Sequence, residues 1–214
     1  MTSETPIRSI TVSGTGTAEA APDLLTISVG VECRRDSVGD AYAGAGEASA
    51  AVSASLRQRG VAGADIRTSG LNVRADLVWH EGEGQRVAGY IASSVLTVRL
   101  REMTSASAAI SAVVDAGGND VRLQGLELGF SDAAEVKARA RAAAWKDALK
   151  SAEQFASLAS ARLGAVVSFT EGSGVPAPVP LARIQRTASA EALNVEAGET
   201  SVSAGVTVVW ELLD

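Results

Sequence analysis

The chain has 214 residues, a length that one mixed domain of helices and strands can fill while burying roughly 70% of its unfolded surface. Its 25 acidic and 19 basic side chains give a formal net charge of −6, which opposes non-specific binding to nucleic acid or to anionic lipid. A single cysteine excludes an intrachain disulfide and a cysteine zinc cage.

The amino terminus, residues 1–8, lacks the basic region and following apolar region of a signal peptide. No uninterrupted apolar run approaches the ~18 residues that suggest a membrane-spanning helix. From these two features we expect a cytoplasmic protein without an integral membrane segment.

The opening motif Gly14-Thr15-Gly16 begins like a dinucleotide-binding loop, but Glu19 stands at the third glycine position and a strand follows. We therefore interpret the two glycines as a β-turn between strands.

The first clear strand covers residues 24–33, where Ile27, Val29 and Val31 alternate with more polar residues. Cys33 shares their parity, so we expect it to be buried. A buried thiol behaves as a small hydrophobe, and a redox role is disfavoured.

An amphipathic helix follows, with apolar residues at helical spacing from Val38 to Leu56. Asp36 or Ser37 is expected as its N-cap and Gly60 as its C′ residue.

A β-hairpin is predicted next from two alternating runs, residues 71–79 and 90–100, joined by a polar loop at 80–86. The loop segment His80-Glu81-Gly82-Glu83 could be imagined as a small metal site, because imidazole and carboxylate groups are metal ligands. A solvated turn is favoured, because adjacent residues on an exposed loop have no second layer of side chains to orient them.

A second helix should start at Thr104 or Ser105 and stop at 117–118, and a strand follows over 121–130. The parity of its apolar residues changes at Gly125, which predicts a β-bulge.

The longest helix is predicted for residues 132–161, with Asp132 and Glu135 as a capping box. One stripe should face water; it consists of Glu135, Arg139, Lys146, Lys150 and Glu153. Most of the remaining circumference is alanine or larger apolar residues. We therefore expect this helix to be covered on more than one side.

A strand at 165–170 leads into a proline-, glycine- and alanine-rich arm or loop at 172–197, and a closing strand covers 202–212. This order predicts an α+β fold, a largely antiparallel mixed sheet with three helices. We predict a single domain over 1–214. The strand-helix-hairpin part and the later helix-strand part could form two lobes, but no linker precedes Gly172.

No catalytic, cofactor-binding or metal-binding constellation is legible, so we assign no site residues and expect no cofactor. The carboxylates Glu127, Asp132 and Glu135 more simply flank and cap the long helix. The basic pairs at 34–35 and at 57 and 59 are interpreted as solvated ends of elements.

The ordered motifs of the chain resemble the SIMPL-domain family over nearly its whole length. The first motifs are Ile10-Thr11-Val12-Ser13-Gly14-Thr15-Gly16, Pro22-Asp23, Gly60, Asp65-Ile66-Arg67-Thr68 and Gly89-Tyr90-Ile91-Ala92-Ser93. The later ones are Gly125-Leu126-Glu127-Leu128-Gly129-Phe130, Ala138-Arg139, Ala142, Ala148, Ala152-Glu153, Leu163-Gly164 and Val195-Glu196-Ala197-Gly198-Glu199.

This resemblance implies an α+β fold and, for some members, ring- or channel-like homo-oligomers. It also implies export of many bacterial members to the periplasm and a link of some to oxidative-stress tolerance. It supplies no catalytic residue. We therefore expect a non-enzymatic, self-assembling structural or interaction protein. A small-molecule or peptide-binding module is the alternative, and an enzyme of unrecognised chemistry is the third interpretation.

Overall fold

The computed structural model describes residues 8–82, 84–172 and 195–214, in which three α-helices and seven strands are found. The elements in chain order are β1 (Ser9–Ala20), β2 (Leu24–Arg35), α1 (Val38–Gln58), β3 (Ile66–His80), β4 (Gly84–Leu100), α2 (Ala106–Gly117), β5 (Val121–Gly129), α3 (Ala134–Leu158), β6 (Arg162–Gly172) and β7 (Thr200–Leu213). The α+β class with three helices and antiparallel pairing is confirmed, with the strands divided over two sheets.

The described residues form two compact units. One, the three-stranded unit, comprises residues 8–21, 132–172 and 199–214. The other, the four-stranded unit, comprises 22–82, 84–131 and 195–198. The single domain over 1–214 stays a prediction.

The four-stranded unit has the strand order β3-β4-β2-β5, with α1 and α2 packed on one face. Its core combines Leu25, Ile27 and Val29 of β2 with Val52 of α1 and Val113 of α2. Because side chains in a strand alternate between faces, the predicted alternation of β2 delivers one continuous apolar row to the helices. The same alternation buries Cys33, as predicted.

Two of the three predicted helix starts are confirmed. Ser37 caps α1, its Oγ accepting a hydrogen bond from the Asp40 N–H at 3.1 Å, and Ser105 is the N-cap of α2. The prediction of a capping box for α3 is wrong. The N-cap is Ala133, and the carboxylate of Asp132 accepts from the Ala134 N–H at 2.8 Å, so the carboxylate closes a local turn instead.

The predicted ends and irregularities of the other elements are close to those observed. Gly60 follows α1 with a φ of +86°, the left-handed conformation that favours glycine after a helix. The β3–β4 hairpin forms, although its strands reach His80 and Gly84, so the connection is shorter than expected. A bulge in β5 leaves Gln124 without a residue paired to it in the ladder with β2, one residue from the predicted position.

The three-stranded unit has the order β1-β7-β6, and α3 lies across β1 and β7. The expected turn at Gly14-Thr15-Gly16 is wrong, because these residues lie in the middle of β1. A Cβ on Gly14 would be 2.3 Å from the Ala144 carbonyl oxygen, and one on Gly16 would be 2.3 Å from the Ala144 nitrogen. The glycines let the helix backbone approach the strand.

The buried face of α3 is a narrow stripe at four-residue spacing: Val136, Ala140, Ala144, Ala148, Ala152 and Ala156. Trp145, Phe155 and Leu158 lie beside this stripe and are partly or largely exposed. In the described part of a single chain, α3 is therefore covered along one stripe, and its coverage on a second side stays a prediction.

No helix in the described ranges is long and apolar enough to cross a bilayer. Of the predicted arm at 172–197, residues 173–194 lie outside the described residues.

Candidate functional site

The first candidate surface lies along β6, an outer strand of the three-stranded sheet. Val166, Val167 and Phe169 expose 41%, 52% and 65% of their surfaces. Trp145 of α3 meets the Phe169 ring edge-to-face, with centroids 5.8 Å apart, and its centroid is 6.2 Å from that of Trp210. We call Trp145, Val166, Val167 and Phe169 the β6 edge surface.

The ladder between β6 and β7 explains why this surface is accessible. The pairing is interrupted between Leu163 and Val166 and again between Val166 and Ser168, then runs regularly to Gly172. In the described residues β6 pairs only with β7, so its outer backbone groups have no strand partner. An edge with unpaired backbone groups and apolar side chains is a template for pairing with another chain.

A second candidate site in the four-stranded unit centres on Asp65, which ends the 3₁₀ turn Gly63–Asp65 and is only 7% exposed. Arg101 holds it in a bidentate pair, with Nε to Oδ2 and Nη2 to Oδ1 both at 2.8 Å. The hydrogen bonds from Arg101 keep the pKa of Asp65 below its ordinary value despite the opposing effect of burial.

Arg99 lies next to this pair without completing a hydrogen bond, its Nε being 3.6 Å from Oδ1 of Asp65. The β3–β4 register sets Arg67 opposite Thr97 on the same ladder. The result is an open pocket of about 350 Å³. Its lining residues are Thr26, Ala64, Asp65, Arg67, Thr97 and Arg99. We call it the Arg67–Arg99 pocket.

An adjoining pocket of about 150 Å³ is lined by Arg59, Asp65, Arg99 and Arg101, among others. Arg59 was expected from the sequence to be a solvated helix end, and the structure brings it to this pocket. Nothing in the local sequence pattern joins Asp65 to Arg101. The only signal was that Asp65 and Arg67 fall in one motif of the family resemblance.

A match to a family model covers residues 10–210, and that family is described as SIMPL, a protein of unknown function (DUF541). The chain belongs to the SIMPL family. The 26 kDa periplasmic immunogenic protein of Brucella melitensis is 30% identical to this SIMPL chain, over 95% of the chain and 84% of the relative. A protein of the same name from Brucella abortus is also 30% identical over the same shares. The uncharacterized protein YggE of Escherichia coli K12 is 27% identical over 92% of the chain and 78% of YggE.

These SIMPL relatives correct the expected location. The expected cytoplasmic location, based on residues 1–8 and on the lack of a long apolar run, is wrong in view of relatives that are named as periplasmic. The pattern of residues 1–8 concerns eight residues only, whereas the similarity to the Brucella proteins covers 95% of the chain.

The remaining sequence candidates in this SIMPL chain do not come together. His80 ends β3 at the hairpin, far along the strand from Asp65. The Sγ of Cys33 donates to Oδ2 of Asp120 at 3.1 Å, and burial is the main cause that raises the pKa of this thiol to about 11. Arg34 pairs with Asp76 at 2.7 Å, consistent with a solvated strand end.

Across residues 8–82, 84–172 and 195–214 of this SIMPL protein, no group of three or more His, Cys, Asp or Glu side chains is arranged to hold a metal ion. The expectation that the protein needs no cofactor stays a prediction. In the described residues, neither the β6 edge surface nor the Arg67–Arg99 pocket contains a nucleophile paired with a base, and the features of both surfaces are those of binding sites.

Proposed function

We propose that this SIMPL chain is a non-enzymatic structural or interaction protein that assembles with copies of itself in the periplasm. The observation that carries the proposal is the β6 edge surface. There, backbone groups that have no strand partner among the described residues occur together with apolar side chains. The names of the Brucella relatives place those proteins in the periplasm, and we extend that location to this chain.

The occupant that fits this edge is a second copy of the chain. Two β6 strands can pair antiparallel about a two-fold axis, because each presents the same backbone groups and the same side chains. The regular stretch from Ser168 to Gly172 is the part suited to such pairing, since the irregularities before it disrupt a straight ladder.

A ring requires a different contact, between β6 of one copy and β1 of the next. Both strands run antiparallel to β7, so they are parallel to each other and lie at opposite edges of the sheet. A head-to-tail contact between unlike edges closes into a ring when the rotation per subunit allows it. The family resemblance favours this ring.

The β6 edge is insufficient for tight assembly on its own. Fully burying a Val or Phe side chain contributes about 1.5–3 kcal/mol, and Val166, Val167 and Phe169 are already about half buried. Association costs about 4–15 kcal/mol in lost rigid-body freedom. We therefore assign a second contact to the proline-rich segment 172–197, whose prolines lower the cost of ordering an extended chain.

The test is the mass in solution. Light scattering of the purified protein at micromolar concentration should give a multiple of 21.7 kDa. Phe169→Lys should reduce that mass by placing a charge in the apolar edge. Trp79→Lys is the matched control, because Trp79 is also a largely exposed aromatic residue on a strand but lies in the four-stranded unit. It should leave the mass unchanged.

A monodisperse monomer for the intact chain would falsify self-assembly. Equal loss of mass in both variants would reject the β6 edge as the contact, provided that circular dichroism shows both to be folded. Deleting residues 175–186 should also reduce the mass, and an unchanged oligomer would reject only the part assigned to that segment. The link to stress tolerance stays a prediction from the resemblance.

A further inference from the structure

We propose that the Arg67–Arg99 pocket is a binding site for a phosphate monoester group, a role independent of self-assembly through β6. The pocket lies within the four-stranded unit and combines two guanidinium groups with two threonine hydroxyls. These side chains make the pocket positively charged, although the formal net charge of the chain is −6.

The charges around the pocket leave it cationic. Both oxygens of Asp65 accept from Arg101, so this pair neutralises itself. Arg99 forms a second, longer salt bridge with Asp65 at 3.6 Å, and Arg67 forms no ion pair within the described ranges. Three arginines, Arg67, Arg99 and Arg101, therefore surround one carboxylate, and the excess of about two positive charges matches the charge of −1.5 to −2 that a phosphate monoester carries near neutral pH.

The donors also match a phosphate in kind and number. Arg67 and Thr97 are cross-strand partners, and Thr26 pairs with Arg99 on the neighbouring ladder. The four side chains thus come from three adjacent strands, β3, β4 and β2, which hold them at fixed spacing. Guanidinium groups bind phosphate oxygens through paired N–H donors, and hydroxyl groups supply further donors to the remaining oxygen.

The carboxylate of Glu127, on the neighbouring strand β5, does not cancel this excess charge. Glu127 pairs with Thr26 from the other side of β2, so it is two strand spacings from Arg99. Two spacings are roughly 10 Å, about one Debye length at 0.1 M salt, so the effect of Glu127 at the pocket is weak.

The size of the pocket indicates that the phosphate is part of a larger ligand. A volume of about 350 Å³ lies at the lower end of the range for pockets that hold small organic ligands. Ala64 adds an apolar wall beside the charged groups. The arginines recognise the phosphate monoester group, which soluble phosphate esters and the headgroups of some lipids both carry.

The experiment is a calorimetric titration of the full chain with glycerol phosphate at low salt. We expect saturable binding of one ligand per chain, and binding weaker by roughly tenfold or more in Arg67→Gln and in Arg99→Gln, because each removes a charge-assisted hydrogen bond. Sodium acetate, a monoanion, should bind more weakly than glycerol phosphate. Co-sedimentation with vesicles containing phosphatidic acid, dependent on the same two arginines, would identify a lipid headgroup as the source.

The matched control is Arg74→Gln. Arg74 is an exposed arginine on the same strand as Arg67, seven residues away and therefore roughly 20 Å distant, and its substitution changes the net charge by the same amount. The control should bind glycerol phosphate as the unmodified chain does. The proposal would be overturned by any of three results. These are equally weakened binding in the control, unchanged binding in Arg67→Gln and Arg99→Gln, and no saturation of the unmodified chain by about 10 mM glycerol phosphate.

Discussion

Replacement of Gly14 by alanine tests the close approach of α3 to β1. The added Cβ would be 2.3 Å from the carbonyl oxygen of Ala144 and 2.4 Å from the nitrogen of Ala148. Real Cβ atoms essentially never approach other heavy atoms below 3.0 Å. Because the obstructing atoms belong to the helix backbone, no side-chain rotation relieves the overlap, and α3 must retreat from the sheet by about 1 Å to restore ordinary contact at 3.4 Å.

The expected cost follows from that retreat. Overpacking a core costs about 1–3 kcal/mol, and a clash with backbone places Gly14→Ala near the upper end, at about 2–3 kcal/mol. For a chain of this length that loss lowers the Tm by about 4–12 °C. The sign of the stability change is informative. In a strand without a close neighbour, replacing glycine by alanine stabilises the protein by roughly 0.5–1 kcal/mol, whereas here we expect destabilisation.

The assay is urea unfolding followed by tryptophan fluorescence, since Trp145 and Trp210 both lie in the three-stranded unit. Gly172→Ala is the control, because a Cβ there meets no heavy atom of the described residues within 4 Å, and it should be neutral or slightly stabilising. Adding Ala148→Gly to Gly14→Ala should not restore stability, since the backbone overlap remains. A Gly14→Ala protein as stable as the unmodified chain would refute the reasoning.

Two further predictions concern titratable groups. Cys33 should react with Ellman's reagent at pH 8 far more slowly than a free thiol, because a pKa of about 11 leaves about one thiolate in a thousand at that pH; rapid labelling of the folded protein would contradict its burial. Asp65→Asn should lower the urea midpoint at pH 7, because it removes the carboxylate that binds Arg101. Since the pKa of Asp65 is lowered by folding, its stabilising effect is present above the unfolded value of about 3.9 and is lost as the pH falls through the folded value. The substituted protein should therefore lose less stability than the unmodified chain between pH 7 and pH 3, and parallel acid profiles would show that Asp65 makes no such contribution.

The sequence alone determined the elements whose signals are local. The two-residue period of β2 and the N-cap of α1 depend on residues within one strand or one turn of each other. The period is predicted correctly, and Ser37 is one of the two residues predicted for the N-cap. The burial of Cys33 followed from the same alternation. Local spacing also predicted the β5 bulge to within one residue, because a bulge changes the parity of the apolar residues around it.

Only the tertiary structure decided what the small residues and the arginines do. Gly14 and Gly16 are typical of a turn in sequence, yet they are glycine because a helix from a distant part of the chain lies against their backbone. Likewise, Asp65 and Arg101 are separated by 36 residues, and the β3–β4 register brings them together. A sequence pattern records which face of its own element a residue occupies, whereas close approach and charge pairing depend on which other element covers that face, and that is set by packing across the whole chain.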